Sequence, residues 1–273
     1  MGRRLTLVAG AGDLVPHLAR AAGGSGDALQ ILDLLGRGDI AGDEVVTVPL
    51  SRASDLIAAI KAFGPTHILL AGGVHISDAD REGLAGAFGL AGKIAGGLGD
   101  VGLAGMILLY CRMQRIKLVG AHEVAPELLA PEGHIAGPEI DAPIAAAASL
   151  ALKAAKAVGA IDLGQSVVFS RNRPIAAEDA GGTDALLARV AGLRERGLIG
   201  NGGAPLILAK ARKPKQPAFV DLPAIGPQTI VNAAAAGVSV IAVETRATLL
   251  LDRVRLEAEA TARRVSVIGL RHG

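Results

Sequence analysis

Short apolar runs rich in Val, Ile and Leu alternate along this chain with longer stretches in which apolar positions recur every three or four residues. An uninterrupted apolar run marks a strand buried on both faces, and the longer recurrence marks a helix that buries one stripe. This pattern predicts strands at 5–9, 29–32, 45–48, 67–71 and 116–119. Residues 51–63 read as an amphipathic helix with Leu56, Ile57 and Ile60 on one face, and residues 78–114 read as helical with glycine breaks. The pattern then restarts with an Ala-rich helix at 142–158. Strands follow at 166–169, 205–208, 239–243 and 265–268, with helices near 184–195, 227–236 and 252–263. Strands alternating with helices are the sequence form of βαβ units. The expected fold class is therefore α/β, with two α/β domains, mostly parallel sheets and a Rossmann-like first half. The expected boundary is the cluster Pro131-Glu132-Gly133, which gives an N-terminal nucleotide-binding domain at 1–133 and a C-terminal catalytic domain at 134–273. Ligands in such folds gather at the carboxyl ends of parallel strands, so the substrate cleft is expected between the domains.

Composition narrows this picture. Of 273 residues, 51% are hydrophobic but only 2% aromatic, so the core must be aliphatic. That apolar content is too high for a disordered chain, and the 37 glycines point to tight turns between strand and helix. A formal net charge of +2 without a long basic tract gives no reason to expect a nucleic-acid partner. The single cysteine, Cys111, excludes an internal disulfide and fits a reducing compartment, and its apolar helical surroundings mark it as structural. The N-terminal stretch lacks the long apolar run of a signal peptide. Lys153 and Lys156 interrupt the Ala-rich helix, which is expected to be too short and too charged to span a bilayer. The expected location is cytoplasmic.

Candidate chemistry lies where strands end. Gly10-Ala11-Gly12 follows the first strand and, with Asp33 downstream, imitates a dinucleotide fingerprint, but Val15 and Pro16 stand where that fingerprint has its third glycine and helix start. The turn suits close approach of a phosphate or ribose, or it is purely structural. Gly72 and Gly73 leave room at the end of another strand, followed by His75. His122 beside Glu123 suits acid–base or metal chemistry, or simply a helix entry. In the second half, Thr183 and Asp184 after Gly181-Gly182 offer hard oxygens for Mg²⁺ or phosphate-bound water, or an ordinary helix cap. Gln165 and Glu244 are further polar groups at strand ends. Asp221 sits in the turn Val220-Asp221-Leu222-Pro223, just before the helix start at Gly226-Pro227. Upstream lies a loop carrying Lys210, Arg212, Lys213 and Lys215. A carboxylate among cations beside a helix start suggests metal-assisted phosphate chemistry, or again a capping aspartate. No Walker A sequence, Gly-x-Ser-x-Gly elbow, Cys-x-x-Cys or His-Glu-x-x-His occurs.

Taken together, Ala9-Gly10-Ala11-Gly12, Ala71-Gly72-Gly73-Val74, Gly120-Ala121-His122-Glu123, Pro126 to Gly133, Asp162-Leu163-Gly164-Gln165, Gly182-Thr183-Asp184, Lys213-Pro214-Lys215-Gln216 and Asp221 to Gly226 resemble one family over nearly the whole chain. It is the two-domain UDP-2,3-diacylglucosamine pyrophosphatases of the lipid A pathway, distinct from the metallophosphatase type. The resemblance implies Mg²⁺-dependent hydrolysis of UDP-2,3-diacylglucosamine to UMP and 2,3-diacylglucosamine 1-phosphate (lipid X), with water attacking the α-phosphorus. It further implies a homodimer working peripherally at the inner face of the cytoplasmic membrane.

On this resemblance Asp221 is the essential aspartate, holding Mg²⁺ or orienting water, with Thr183 and Asp184 completing the catalytic and metal shell. Lys213 and Lys215 neutralise phosphate charge. Gly10, Ala11, Gly12, Gly72, Gly73, His122 and Gln165 belong to the substrate surface. The chain departs from the family pattern at Ala11, Val101, Gly181 and Phe219. Two other readings stay open: a nucleotide-lipid binding protein without turnover, for which Val101 and Phe219 would mark lost activity, and an NAD-dependent oxidoreductase suggested by Gly10-x-Gly12.

Overall fold

The computed structural model describes residues 2–42, 44–74, 78–88, 103–200, 203–214 and 222–271. The described chain divides into two compact units, one ending at Pro126 and the other beginning at Glu127. The expected division after residue 133 falls a few residues into the second unit.

The first unit runs β1 (Arg4–Ala9), α1 (Leu14–Gly24), β2 (Ala28–Asp33), β3 (Val45–Thr47), α2 (Ala53–Phe63), β4 (His67–Ala71), α3 (Asp78–Ala87), α4 (Leu103–Gln114), β5 (Lys117–Val119) and the single turn α5 (Ala121–Val124). Its sheet has the order β3-β2-β1-β4-β5, and every pairing is parallel. The central strand β1 is covered on both faces: Leu5, Leu7 and Ala9 are fully buried, and so is Thr6. The Thr6 hydroxyl is satisfied by its register partner Gln30, 3.1 Å away on β2. A buried hydroxyl without such a partner would cost about 1–3 kcal/mol. α1 buries Val15, Leu18, Ala19 and Ala22, and α2 buries Ala53, Leu56, Ile57 and Ile60, the spacing of one helical face. α2 stops at Gly64, whose left-handed φ of 62° lets its N–H reach the Ile60 carbonyl at 2.9 Å.

The second unit runs β6 (Gly133–Ala136), α6 (Ala142–Ala160), β7 (Ser166–Ser170), β8 (Arg173–Ala177), α7 (Gly182–Glu195), β9 (Leu206–Lys210), β10 (Ala224–Ile225), α8 (Pro227–Ala235), β11 (Val238–Glu244), β12 (Leu249–Leu250), α9 (Arg253–Arg263) and β13 (Ser266–Leu270). The main sheet has the order β6-β13-β11-β9-β7-β8. Here the expectation of a mostly parallel sheet needs refining. β11 pairs parallel with β9 and β13, but β6, β7 and β8 join antiparallel. β7 and β8 form a hairpin that reverses within two residues, Arg171 taking the left-handed φ of 52°. A two-residue connection can join only antiparallel neighbours.

Side-chain alternation sorts the core into two layers. Val167, Phe169, Ile207, Ala209, Val240 and Ala242 pack with Ala148, Ala151, Leu152 and Ala155 of α6. Val168, Leu206, Leu208, Ile241 and Val243 point the other way, into a cluster with Leu186, Leu187 and Val190 of α7, Ile230 and Ala233 of α8, and Leu256 and Ala260 of α9. The unit is thus a three-layer α/β/α sandwich. At 19 residues, α6 is longer than expected, and by length and composition alone it is apolar enough to cross a membrane. It nevertheless lays its alanine face on the sheet, where small side chains allow close approach.

Candidate functional site

In the first unit, the turns after β1 and β4 flank the point where strand order reverses, the usual ligand crevice of such sheets. Here they are tied to each other. The Gly10 N–H donates to the Ala71 carbonyl at 2.8 Å, the Ala11 N–H to Gly73 at 2.7 Å, and the Gly73 N–H back to Ala11 at 3.0 Å. Glycine is required on both sides. A Cβ on Gly10 would lie 2.6 Å from the Gly73 carbonyl oxygen, and one on Gly72, whose φ is +84°, would run into the Ala11 carbonyl oxygen. Gly12, at φ +104°, has open space where its Cβ would be. Gly10, Ala11, Gly12, Gly72 and Gly73 are therefore brought together, as a substrate surface would need.

Asp33, the acidic residue of the imitated dinucleotide fingerprint, is 1% exposed. Its carboxylate accepts the N–H groups of Leu35, Gly36 and Arg37. Arg37 in turn donates to the Gly10 carbonyl at 2.8 Å and pairs with Asp39. Asp33 holds its own loop rather than a ribose, which removes the main contact of the NAD reading.

His122 and Glu123 differ in the partners they hold. Glu123 accepts from the Gly120 N–H at 3.1 Å and from Lys117 at 2.7 Å. Burial pushes its carboxyl up, but the Lys117 ammonium and the Gly120 N–H outweigh this and hold it below its usual value. The Nδ1 of His122 is buried without a hydrogen-bond partner among the described residues, so the imidazole, not Glu123, keeps capacity for a ligand.

In the second unit, the expected residues meet Glu178 and Ser166, which sequence reasoning passed over, and Lys210, which was expected in the basic loop but ends the buried strand β9. The loop before α7 is pinned by Asp179, which accepts from the Gly181 N–H at 2.9 Å and pairs with Arg189 at 3.0 Å. These partners, the Gly181 N–H first, hold its carboxyl below the ordinary range. Gly182 then takes φ 77°, and Thr183 and Asp184 open the helix. Asp184 is exposed in the first turn, where a carboxylate complements the helix dipole, and it accepts from Asn232 at 2.9 Å.

Thr183 turns inward. Its hydroxyl donates to Glu178 at 2.8 Å, lies 3.2 Å from the Ser166 hydroxyl and accepts from Lys210 at 3.1 Å. Lys210 also donates to the Ala224 carbonyl at 3.0 Å. Glu178 and Lys210 are 7% and 8% exposed, and Ser166 is fully buried. The available signal was weak: Ser166 and Lys210 are register partners across β7 and β9, a pairing that local patterns do not reveal.

Alongside, Glu244 at the end of β11 is held by Lys156 at 2.5 Å and by the Arg212 N–H at 2.9 Å. Lys213 pairs with Asp162 at 2.8 Å, but Asp162 is so exposed that the pair is worth at most about 1 kcal/mol. Gln165 contributes its backbone carbonyl to the Ala211 N–H at 2.9 Å. Asp221, Lys215, His75, Val101 and Phe219 lie outside the described residues.

Among the described residues no three acidic, histidine or cysteine side chains converge as a closed metal cage. Mg²⁺ does not require one, since it is commonly held by one or two carboxylates together with water and substrate phosphate. The exposed carboxylate of Asp184 suits that chemistry.

Comparison with known proteins bears on the whole chain. Residues 131–268 match the family model described as the LpxI C-terminal domain. The UDP-2,3-diacylglucosamine pyrophosphatase LpxI of Caulobacter vibrioides is 33% identical over 280 aligned positions, covering 98% of this chain and 98% of that protein. Among solved structures, Bordetella bronchiseptica WbmG with NAD and UDP is 19% identical and aligns over 42% of this chain and 36% of that one, at a TM-score of 0.28. The UDP-glucose 4-epimerase of Thermus thermophilus with NAD is 18% identical over 98% of this chain and 86% of that one, at 0.32. Likenesses this low carry no argument about ligand or activity. Identity across nearly the full length of both chains does: the chain belongs to the LpxI family of UDP-2,3-diacylglucosamine pyrophosphatases.

Proposed function

We propose that this protein is a Mg²⁺-dependent hydrolase of lipid A synthesis, converting UDP-2,3-diacylglucosamine to UMP and 2,3-diacylglucosamine 1-phosphate by water attack on the α-phosphorus. The observation that carries the reading is the 33% identity sustained over 98% of both chains. A phosphoric anhydride carries negative charge on its non-bridging oxygens, so hydrolysis needs that charge neutralised and a water oriented. Asp184 and Asp221 would hold Mg²⁺, which when bound supplies charge neutralisation at the phosphates. Lys213 exchanges its exposed partner Asp162 for phosphate. The glycine turns after β1 and β4 present backbone to the nucleotide, and His122 offers its unpartnered nitrogen. We place the enzyme in the cytoplasm, peripheral on the inner face of the membrane that holds its diacyl substrate, and as a homodimer.

The test is turnover of UDP-2,3-diacylglucosamine with and without Mg²⁺ in ¹⁸O-labelled water. Mg²⁺-dependent release with the label on UMP is the expected result, whereas label on the sugar phosphate would move the attack to the β-phosphorus. Asp221→Ala should abolish turnover while substrate still binds. Binding without turnover by the wild type would convert the protein into a nucleotide-lipid binder.

A further inference from the structure

Thr183 is the residue whose role the geometry redefines. A hydroxyl has one proton to give and two lone pairs to receive. Its proton goes to Glu178, a carboxylate that can only accept when ionised. One lone pair receives the Lys210 ammonium. Because the Thr183 proton is committed, the Ser166 hydroxyl must be the donor in the remaining contact, which fills the second lone pair. The hydroxyl is saturated by groups that are themselves buried, and nothing remains for a metal or a phosphate.

Lys210 extends the arrangement. From the end of β9 it reaches both Thr183, at the head of α7, and the Ala224 carbonyl of β10. Ala224 stands three positions after Asp221 in the sequence and is joined to it through Leu222 and Pro223. One ammonium therefore fastens the turn bearing Asp184 to the segment that follows Asp221.

We infer that Thr183 and Lys210, with Glu178 as acceptor, are positioning residues: they set the Asp184 turn and the 222–224 segment relative to each other without touching substrate or metal. This rests on the function proposed above for the meaning of the two aspartates, but not for the coupling itself. Misplacement of reacting groups by about 1 Å costs on the order of 100-fold in rate. Lys210→Met and Thr183→Val should therefore lower kcat by roughly 10- to 100-fold, with KM and the Mg²⁺ concentration for half-activation changed by less than about 3-fold. Lys210→Arg and Thr183→Ser, which keep a donor or the hydroxyl, should recover most of the loss.

A second readout needs no turnover. In either disruptive variant, hydrogen exchange should quicken together at residues 182–184 and 222–225 while the centre of the sheet stays protected. A tenfold or greater rise in the Mg²⁺ requirement of Thr183→Val would make Thr183 a metal ligand and overturn the inference. Unchanged exchange at both segments would overturn it too. If Lys210→Met does not fold, Thr183→Val and Glu178→Gln carry the same comparison. A wild type inactive on UDP-2,3-diacylglucosamine would refute the proposed function and leave the exchange result to decide the coupling.

Discussion

Replacing Gly72 by alanine puts the joined turns of the first unit under direct test. The new Cβ would run into the Ala11 carbonyl oxygen and lie 2.9 Å from both the Gly10 carbonyl carbon and Val15 Cγ2. Two of these obstacles are backbone, so no side-chain rotation relieves them. The φ of +84° costs an alanine about 1–2 kcal/mol. Parting the turns removes the two hydrogen bonds between Ala11 and Gly73, each worth about 1 kcal/mol. The total is about 3–4 kcal/mol. Gly12→Ala is the matched control: its φ is also positive, at +104°, but its Cβ enters open space, so only the strain of about 1–2 kcal/mol applies.

The chain supplies its own probe. It has one tyrosine and no tryptophan, and Tyr110 is 5% exposed in the core of the first unit, edge-on to Phe88. Tyrosine fluorescence during urea unfolding therefore follows the first unit alone. Gly72→Ala should lower the midpoint by on the order of 1.5 M, about twice the effect of Gly12→Ala. Equal midpoints for the two variants would refute the claim that the turns need glycine for close approach rather than for φ alone.

Two further outcomes follow from buried groups. Thr248 is fully buried and its hydroxyl has no hydrogen-bond partner among the described residues, so Thr248→Val should stabilise the second unit by about 1 kcal/mol in urea unfolding followed by circular dichroism. A loss of stability would mean that the hydroxyl has a partner. Burial pushes the Cys111 thiol up to about 11, so the folded state favours the neutral form more than the unfolded state does. Its stabilisation is full below the unfolded thiol's range near 9 and fades as pH rises through 11. Relative to Cys111→Val, the wild type should lose about 2 kcal/mol across that window in pH-dependent unfolding, and parallel profiles would place the thiol in contact with water.

The elements most legible in the sequence were those whose local pattern and final burial agree. Leu56, Ile57 and Ile60 lie on the buried face of α2 as their spacing demands, and the central strands β1 and β4 are mostly apolar runs followed by glycines. The edges were illegible. β6 and β8 are short and antiparallel, half of β6 is exposed and no residue of β8 is fully buried, and Arg173 to Ala177 shows neither clean alternation nor a long apolar run. β6 also sits at the Pro/Gly cluster that suggested a boundary.

At the site, Thr183, Asp184 and Lys213 stood out because glycine turns and clustered charge mark them locally. Ser166 did not, because only the pairing of β7 with its neighbours brings it to Thr183, whereas Glu178, five residues before Thr183, was missed although it lies close in sequence. The same blindness hid the spending of Asp33 on its own loop. A carboxylate's spacing from a glycine turn says nothing of which N–H groups reach it first.

The order of strands in the second sheet also sets a timetable for the nascent chain. β13 lies between β6 and β11, so one of the first strands of that unit to be made is held in place by the last of the described strands. At about 5–20 residues per second, the ribosome takes on the order of ten seconds to travel from β6 to β13. Throughout that interval β6 has no neighbour, and once β11 has been made its flank stays open to other chains until β13 follows. The five-stranded sheet ahead of it is already complete at Val119, and its most distant pairing in sequence joins Leu5 of β1 to His67 of β4, far nearer than Val267 of β13 is to Ala136 of β6. During synthesis, the burden of avoiding misassembly therefore falls on the half that carries Thr183 and Lys210.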